Sequence, residues 1–221
     1  MYALTYICGM MKPIFGVILL LSILVIACRE NTKEVKTKSN SKEKKMIESV
    51  YEISVKQLDG SNFDWAPYKG KRLMIVNVAS ECGLTPQYEQ LQAMYNDLDT
   101  SKYAIIGVPA NNFLKQEPGA AEDIASFCQK NYGVEFPILE KMYVCDKVYL
   151  SHPPKAENAE IVETSPLYAY LTQKSNNGNL DIEMTWNFQK IFVDENGKVY
   201  DYAIPREIDP FVLLDKLSFT N

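Results

Sequence analysis

Few side chains in this sequence are equipped for redox or nucleophilic chemistry. Its 221 residues include five cysteines, Cys8, Cys28, Cys82, Cys128 and Cys145, and one histidine, His152. The cysteine spacings fit no zinc site, and no metal or other cofactor is expected. Cys82 stands in NVASECGLT, between an apolar run and a helical pattern. A C-x-x-C redox pair would need a second cysteine where Thr85 stands. The thiolate is the nucleophilic form of cysteine, and a free thiol, with a pKa of about 8.5, is mostly protonated at neutral pH. A helix N-terminus following Cys82 would favour the anion through its unsatisfied N–H groups and partial positive charge. Gly83 would let a backbone donor approach the sulfur. The alternative is an inert cysteine at a strand end, and the corner alone favours function only slightly. Any Cys–His or Ser–His mechanism would have to use His152. That residue lies in SHPPK, between proline-rich turns, and reads as a surface loop histidine rather than an aimed base.

The elements that must position Cys82 follow from periodicity. Tyr51 to Lys56 alternates as a strand, Asp59-Gly60 is a turn, and Phe63 to Trp65 reads as the return strand of an N-terminal β-hairpin. Arg72 to Ala79 is a continuous apolar run, as expected of a strand buried on both faces. Pro86 suits the first turn of a helix whose apolar face is Tyr88, Leu91, Met94, Tyr95 and Leu98. Tyr103 to Pro109 is a second buried strand, and Ala120 to Tyr132 a second helix with Ile124, Phe127 and Cys128 on one side. Lys141 to Cys145 reads as a short strand, and Ser165 as the cap of a helix through Leu171. Lys190 to Asp194, Asn196-Gly197 and Lys198 to Tyr202 form a hairpin signal, and Pro210 to Leu217 a last helix. This order predicts an α/β fold, a mixed central sheet with helices on both faces. In such sheets sites form beyond the carboxyl ends of strands, where Cys82 stands.

Three segments together carry a resemblance. NVASECGLTPQYEQLQAMY, GVPANNFLKQEPG (Gly107 to Gly119) and WNFQKIFVDENGKV (Trp186 to Val199) are similar, in this order, to three motifs of the glutathione peroxidase family. The likeness spans about Tyr51 to Leu217. It implies a thioredoxin-like fold and a catalytic group of Cys82, Gln116, Trp186 and Asn187. The indole and the two amides can donate hydrogen bonds to a sulfur anion and to a developing oxyanion. The sequence departs from the family at Ala110, where many relatives have cysteine, at Asn112 and Leu114, which replace the usual Gln and Gly, and at Thr185, where a Lys is common. The stretch between Asp146 and Thr164 is longer than in relatives, and the sequence does not show what it does.

The resemblance also implies a function: a thiol peroxidase reducing hydrogen peroxide and organic or lipid hydroperoxides through a Cys82 sulfenic acid. Cys128 matches the resolving cysteine of members that form an internal disulfide and draw electrons from thioredoxin. A thioredoxin-like dithiol is therefore the expected reductant, ahead of glutathione, whose basic binding residues cannot be mapped here. Because a disulfide needs Cα atoms within about 7 Å, the helix around Cys128 should partly unwind during turnover. Cys145 looks structural. Relatives with an internal resolving cysteine imply a monomer. The same cysteines would also serve a peroxide-sensing relay that passes its disulfide to a partner. A thioredoxin-type oxidoreductase is opposed by Thr85.

Outside this domain, Ile14 to Cys28 is an uncharged apolar run with Lys12 just before it. It falls short of the about twenty residues that span a bilayer and ends in a lipobox-like Val25-Ile26-Ala27-Cys28. Residues 1–27 are expected to be a lipoprotein signal peptide, with lipid on Cys28 holding the protein at a membrane, outside the cytoplasm and on the periplasmic face. Residues 28–49, rich in Lys, Glu, Ser and Asn, read as a disordered tether to a domain over 50–221. Translation from Met46 would instead leave a cytoplasmic enzyme. The net charge of −5 argues against nucleic-acid partners.

Overall fold

The computed structural model describes residues 47–218; the expected signal peptide, Cys28 and the tether as far as residue 46 lie outside the described residues. Strand β1 (Arg72–Val78) is central to a four-stranded sheet of order β2-β1-β5-β6. It runs parallel to β2 (Tyr103–Pro109), in register from Arg72 opposite Tyr103 to Val78 opposite Pro109. It runs antiparallel to β5 (Lys190–Val193), which pairs in turn with β6 (Val199–Ala203). The sheet is therefore mixed.

The run of apolar residues in β1, interrupted only by Asn77 after Arg72, has a physical consequence: both faces must be covered. Leu73 and Ile75 pack into a cluster with Leu167, Tyr168 and Leu171 of helix α3 (Pro166–Thr172). Met74, Val76 and Val78 pack oppositely, with Tyr88 and Leu91 of α1 (Gln87–Asp97), Ile124 and Cys128 of α2 (Ala121–Tyr132), and Leu213 and Leu217 of the C-terminal helix. Each fully buried side chain of the Leu91 class contributes about 1.5–3 kcal/mol. A short α4 (Lys174–Asn177) follows α3, and α5 (Pro210–Ser218) ends the described domain. Among the described residues no helix is long and apolar enough to cross a membrane.

The β5–β6 turn forms at Asn196-Gly197, where Gly197 takes φ +79° and a Cβ would collide with Ser49 Oγ. Ser49 Oγ donates to Asn196 O at 2.9 Å, and Ile47 packs on the core. These two residues, counted with the tether from sequence, thus belong to the domain.

Two expectations change, and the 146–164 stretch, for which none was stated, has a structure. The N-terminal hairpin survives as a single antiparallel bridge, Lys56 to Asn62, backed by Phe63 N–H to Val55 O at 2.9 Å. Its expected first strand begins as a 3-10 turn, Val50–Glu52, because Ser49 Oγ accepts from Tyr51 N–H and tightens the chain. Lys141 to Cys145 is not a strand. Its backbone donors go to Pro109 O from Met142, to Ser165 Oγ from Tyr143 and to Asn112 Oδ1 from Val144. Finally, the long 146–164 stretch folds as an antiparallel pair, β3 (Lys147–Tyr149) and β4 (Ala159–Ile161).

Candidate active site

Cys82 lies four residues beyond the end of β1 in an irregular corner, 7% exposed. Thr85, at the position a second redox cysteine would take, holds this corner: its Oγ1 accepts from Cys82 N–H at 3.0 Å and donates to Ala79 O at 2.9 Å. Helix α1 begins only at Gln87. The donor that reaches the sulfur is therefore a turn amide, Leu84 N–H, 3.4 Å from Sγ, and not the helix terminus expected from sequence.

The second motif approaches through backbone. Gln116 O accepts from Glu81 N–H at 3.0 Å, tying the segment to the Cys82 corner. Leu114 and Lys115 take φ of 54° and 53° to turn the chain there. Left-handed backbone at non-glycine residues costs of order 1–3 kcal/mol and gathers at functional sites. The third motif has the same feature at Phe188, φ 66°. Asn187 is buried, and its Nδ2 donates to Gln116 Oε1 at 2.9 Å, joining two motifs 71 residues apart. That bond uses the Gln116 carbonyl and leaves its NH2 group to donate elsewhere. Trp186, Gln116, Gly83 and Leu84 line one cavity of about 450 Å³. Cys82, Gln116, Trp186 and Asn187 are thus assembled around one corner.

Two residues at this site escaped sequence reasoning. Asn77 is fully buried in β1; its Oδ1 accepts from Gln189 N–H at 3.0 Å and its Nδ2 donates to Trp186 O at 3.2 Å, so one side chain grips both ends of the Trp186–Gln189 turn. The available signal was a polar residue inside an otherwise apolar run. His152, read as a loop residue, is exposed, but its ring centroid lies 4.2 Å from that of Trp186 and it lines the same cavity. Only the folding of β3 and β4 brings it there.

Cys128 is 3% exposed, on the inner face of an intact α2 and in the same apolar cluster as Cys82; both thiols are free. Burial pushes the Cys128 thiol up, the Tyr88 hydroxyl offsets part of this, and the Glu117 charge adds to it. Glu117 is itself buried; Ser80 Oγ donates to its Oε1 at 2.7 Å, yet burial raises its carboxyl above the usual range. Cys145 is half-buried beside Asn112 and Lys147 O, and burial raises its thiol as well. Among the described residues no group of three or more His, Cys, Asp or Glu could hold a metal ion.

Residues 50–149 match the model of the glutathione peroxidase family. The chain is 41% identical over 158 residues to the glutathione peroxidase homolog BsaA of Halalkalibacterium halodurans, covering 71% of this chain and 90% of that one. The chain belongs to the glutathione peroxidase family. As a member it is a peroxidase. Identity is 43% over 156 residues to glutathione peroxidase-like peroxiredoxin 2 of Saccharomyces cerevisiae, over 70% of this chain and 86% of that one. It is 38% over 156 residues to the hydroperoxy fatty acid reductase gpx1 of Synechocystis, over 68% and 83%. A crystal structure of Trgpx in its apo form superposes with a TM-score of 0.51 at 26% identity, over 76% of this chain and 92% of that one. The fold of this family member is thioredoxin-like.

Proposed function

We propose that the chain reduces hydroperoxides as a thiol peroxidase, with Cys82 as the attacking sulfur. The Cys82 thiolate attacks the distal oxygen of R–O–OH; the S–O bond forms, the O–O bond breaks, and RO⁻ leaves to take a proton from water. The products are Cys82 sulfenic acid and ROH. Leu84 N–H stabilises the sulfur anion from the backbone. The free Gln116 amide and the Trp186 indole are donors for the leaving oxygen, where charge develops. The observation that carries this reading is the Asn187–Gln116 hydrogen bond beside Gly83, Leu84 and Trp186, which joins all three motifs at one cavity.

Cys128 then resolves the sulfenic acid, losing its proton as water departs and a Cys82–Cys128 disulfide forms. For this α2 opens around Cys128, whose carbonyl accepts from Val134 N–H at 3.3 Å in the closed helix. A thioredoxin-like dithiol restores both thiols. The working unit is a monomer, held at a membrane outside the cytoplasm by lipid on Cys28.

Mass spectrometry after one equivalent of hydrogen peroxide is expected to find Cys82 and Cys128 in one linked peptide. In Cys82→Ser, NADPH oxidation coupled through thioredoxin and its reductase is expected to fall by roughly a thousandfold or more, as when other enzymes lose their nucleophile. Turnover retained by that variant overturns the assignment. A single oxidation that stops at a mixed disulfide with another protein would favour a redox relay instead.

A further inference from the structure

We propose that the 146–164 segment is a wall of the peroxide cavity, and that its His152 is a specificity-determining residue that packs the substituent of an organic hydroperoxide against Trp186. The inference rests on the peroxidase reading above and names a residue for the substituent rather than for the O–O bond.

The segment is anchored where it matters. Tyr149 N–H donates to Asn112 O at 2.6 Å, and Leu114 N–H to Tyr149 O at 2.8 Å. The rings of Phe113 and Tyr149 stack with centroids 5.8 Å apart. Lys115 and Glu160 form an ion pair at 2.8 Å. His152, three residues past Tyr149, is thereby delivered to Trp186, with centroids 4.2 Å apart and planes at 54°. The two rings share the cavity of about 450 Å³ with Leu84, Leu114, Ile204 and Pro205. Hydrogen peroxide has no group to fill such a space, whereas pockets of about 300–1,000 Å³ with apolar and aromatic linings suit small organic ligands. Leu114 and Ile204 remain 37% and 60% exposed at this site, which is apolar surface without a cover in the described domain. The matching substrate class is a hydroperoxide with an apolar alkyl or aryl substituent.

The test compares kcat/KM for cumene hydroperoxide with kcat/KM for hydrogen peroxide. His152→Ala is expected to lower this ratio about fivefold, the worth of one aromatic contact, and His152→Phe to restore most of it. An unchanged ratio, or equal losses for both peroxides, overturns the proposal. A second measurement does not require turnover. Because His152 is the one histidine of the sequence, the imidazole proton resonance of untagged protein reports on it alone. Titration with 2-phenyl-2-propanol, the alcohol left by cumene hydroperoxide, is expected to shift that resonance. No shift overturns the proposal even in fully active protein. A shift in protein that turns over neither peroxide would keep the wall and refute the peroxidase reading.

Discussion

Cys82 and Cys128 share one apolar cluster but sit in opposite surroundings. Cys82 is in a turn, receives a backbone N–H on its sulfur, and is followed by two residues that line an open cavity. Cys128 sits in the regular backbone of α2, and burial holds its thiol up in the protonated form. The contrast fits the different tasks proposed for the two sulfurs. A sulfur that must meet a small molecule from solvent is served by irregular backbone, which can aim a donor at it. A sulfur that must wait is served by a helix, where it packs like any small apolar side chain.

The largest test removes the waiting sulfur. In Cys128→Ser, thioredoxin-coupled turnover is expected to fall roughly a hundredfold, because the Cys82 sulfenic acid loses its internal thiolate partner. Mass spectrometry should then find one added oxygen on Cys82 after one equivalent of peroxide. Turnover equal to wild type would show that the two environments do not divide the work.

A smaller effect is expected on the Cys82 side alone. Asn77→Ala removes the side chain that bonds Gln189 N–H and Trp186 O. Leaving buried groups unpaired costs about 1–3 kcal/mol each, so chemical denaturation should find the variant less stable by about 2–4 kcal/mol. Alkylation of Cys82 by iodoacetamide should change in rate while that of Cys128, read by peptide mass spectrometry, should not. Equal changes at both would mean that the two sites are not separate.

The smallest concerns Lys190, fully buried at the start of β5. Its Nζ donates to Gln87 Oε1 at 2.7 Å, Pro205 O at 3.2 Å and Glu207 O at 2.6 Å, fastening a wall of the cavity to α1. Burial pushes its ammonium down from 10.5 to about 7, and the negative charge of Glu207 works the other way. Between these values the unfolded chain binds more protons than the native one, so stability should rise with pH across that window. Lys190→Met should flatten the rise in denaturation curves taken at pH 7 and pH 9.5. A fall in wild-type stability over that range, absent from the variant, would reverse the sign argued here.

Much of this was legible before folding. The buried strand β1, the apolar faces of α1 and α2 and the Asn196-Gly197 turn are local patterns, and local patterns survive in the structure. That Cys82, Gln116, Trp186 and Asn187 would come together was legible because each sits in a long motif and the three motifs fall in one order. Other readings failed where a distant group competes for the backbone. Lys141 to Cys145 has a strand-like sequence, but Ser165 and Asn112 take its N–H groups. Asn112, singled out only as a departure from the family, proves to staple the 144–149 segment through both its amide and its carbonyl.

The sequence by itself determined which residues could do the chemistry and in what order they occur, since side-chain type and helical or strand period are properties of short stretches. Only the tertiary structure decided that a turn amide and not a helix end reaches the Cys82 sulfur, that Asn77 grips the Trp186 turn, and that the chain's single histidine stands against that tryptophan. The last two depend on hydrogen bonds and ring packing between segments far apart in the chain, and the first on an irregular turn held by Thr85 and by Gln116 O; no helical or strand period encodes them.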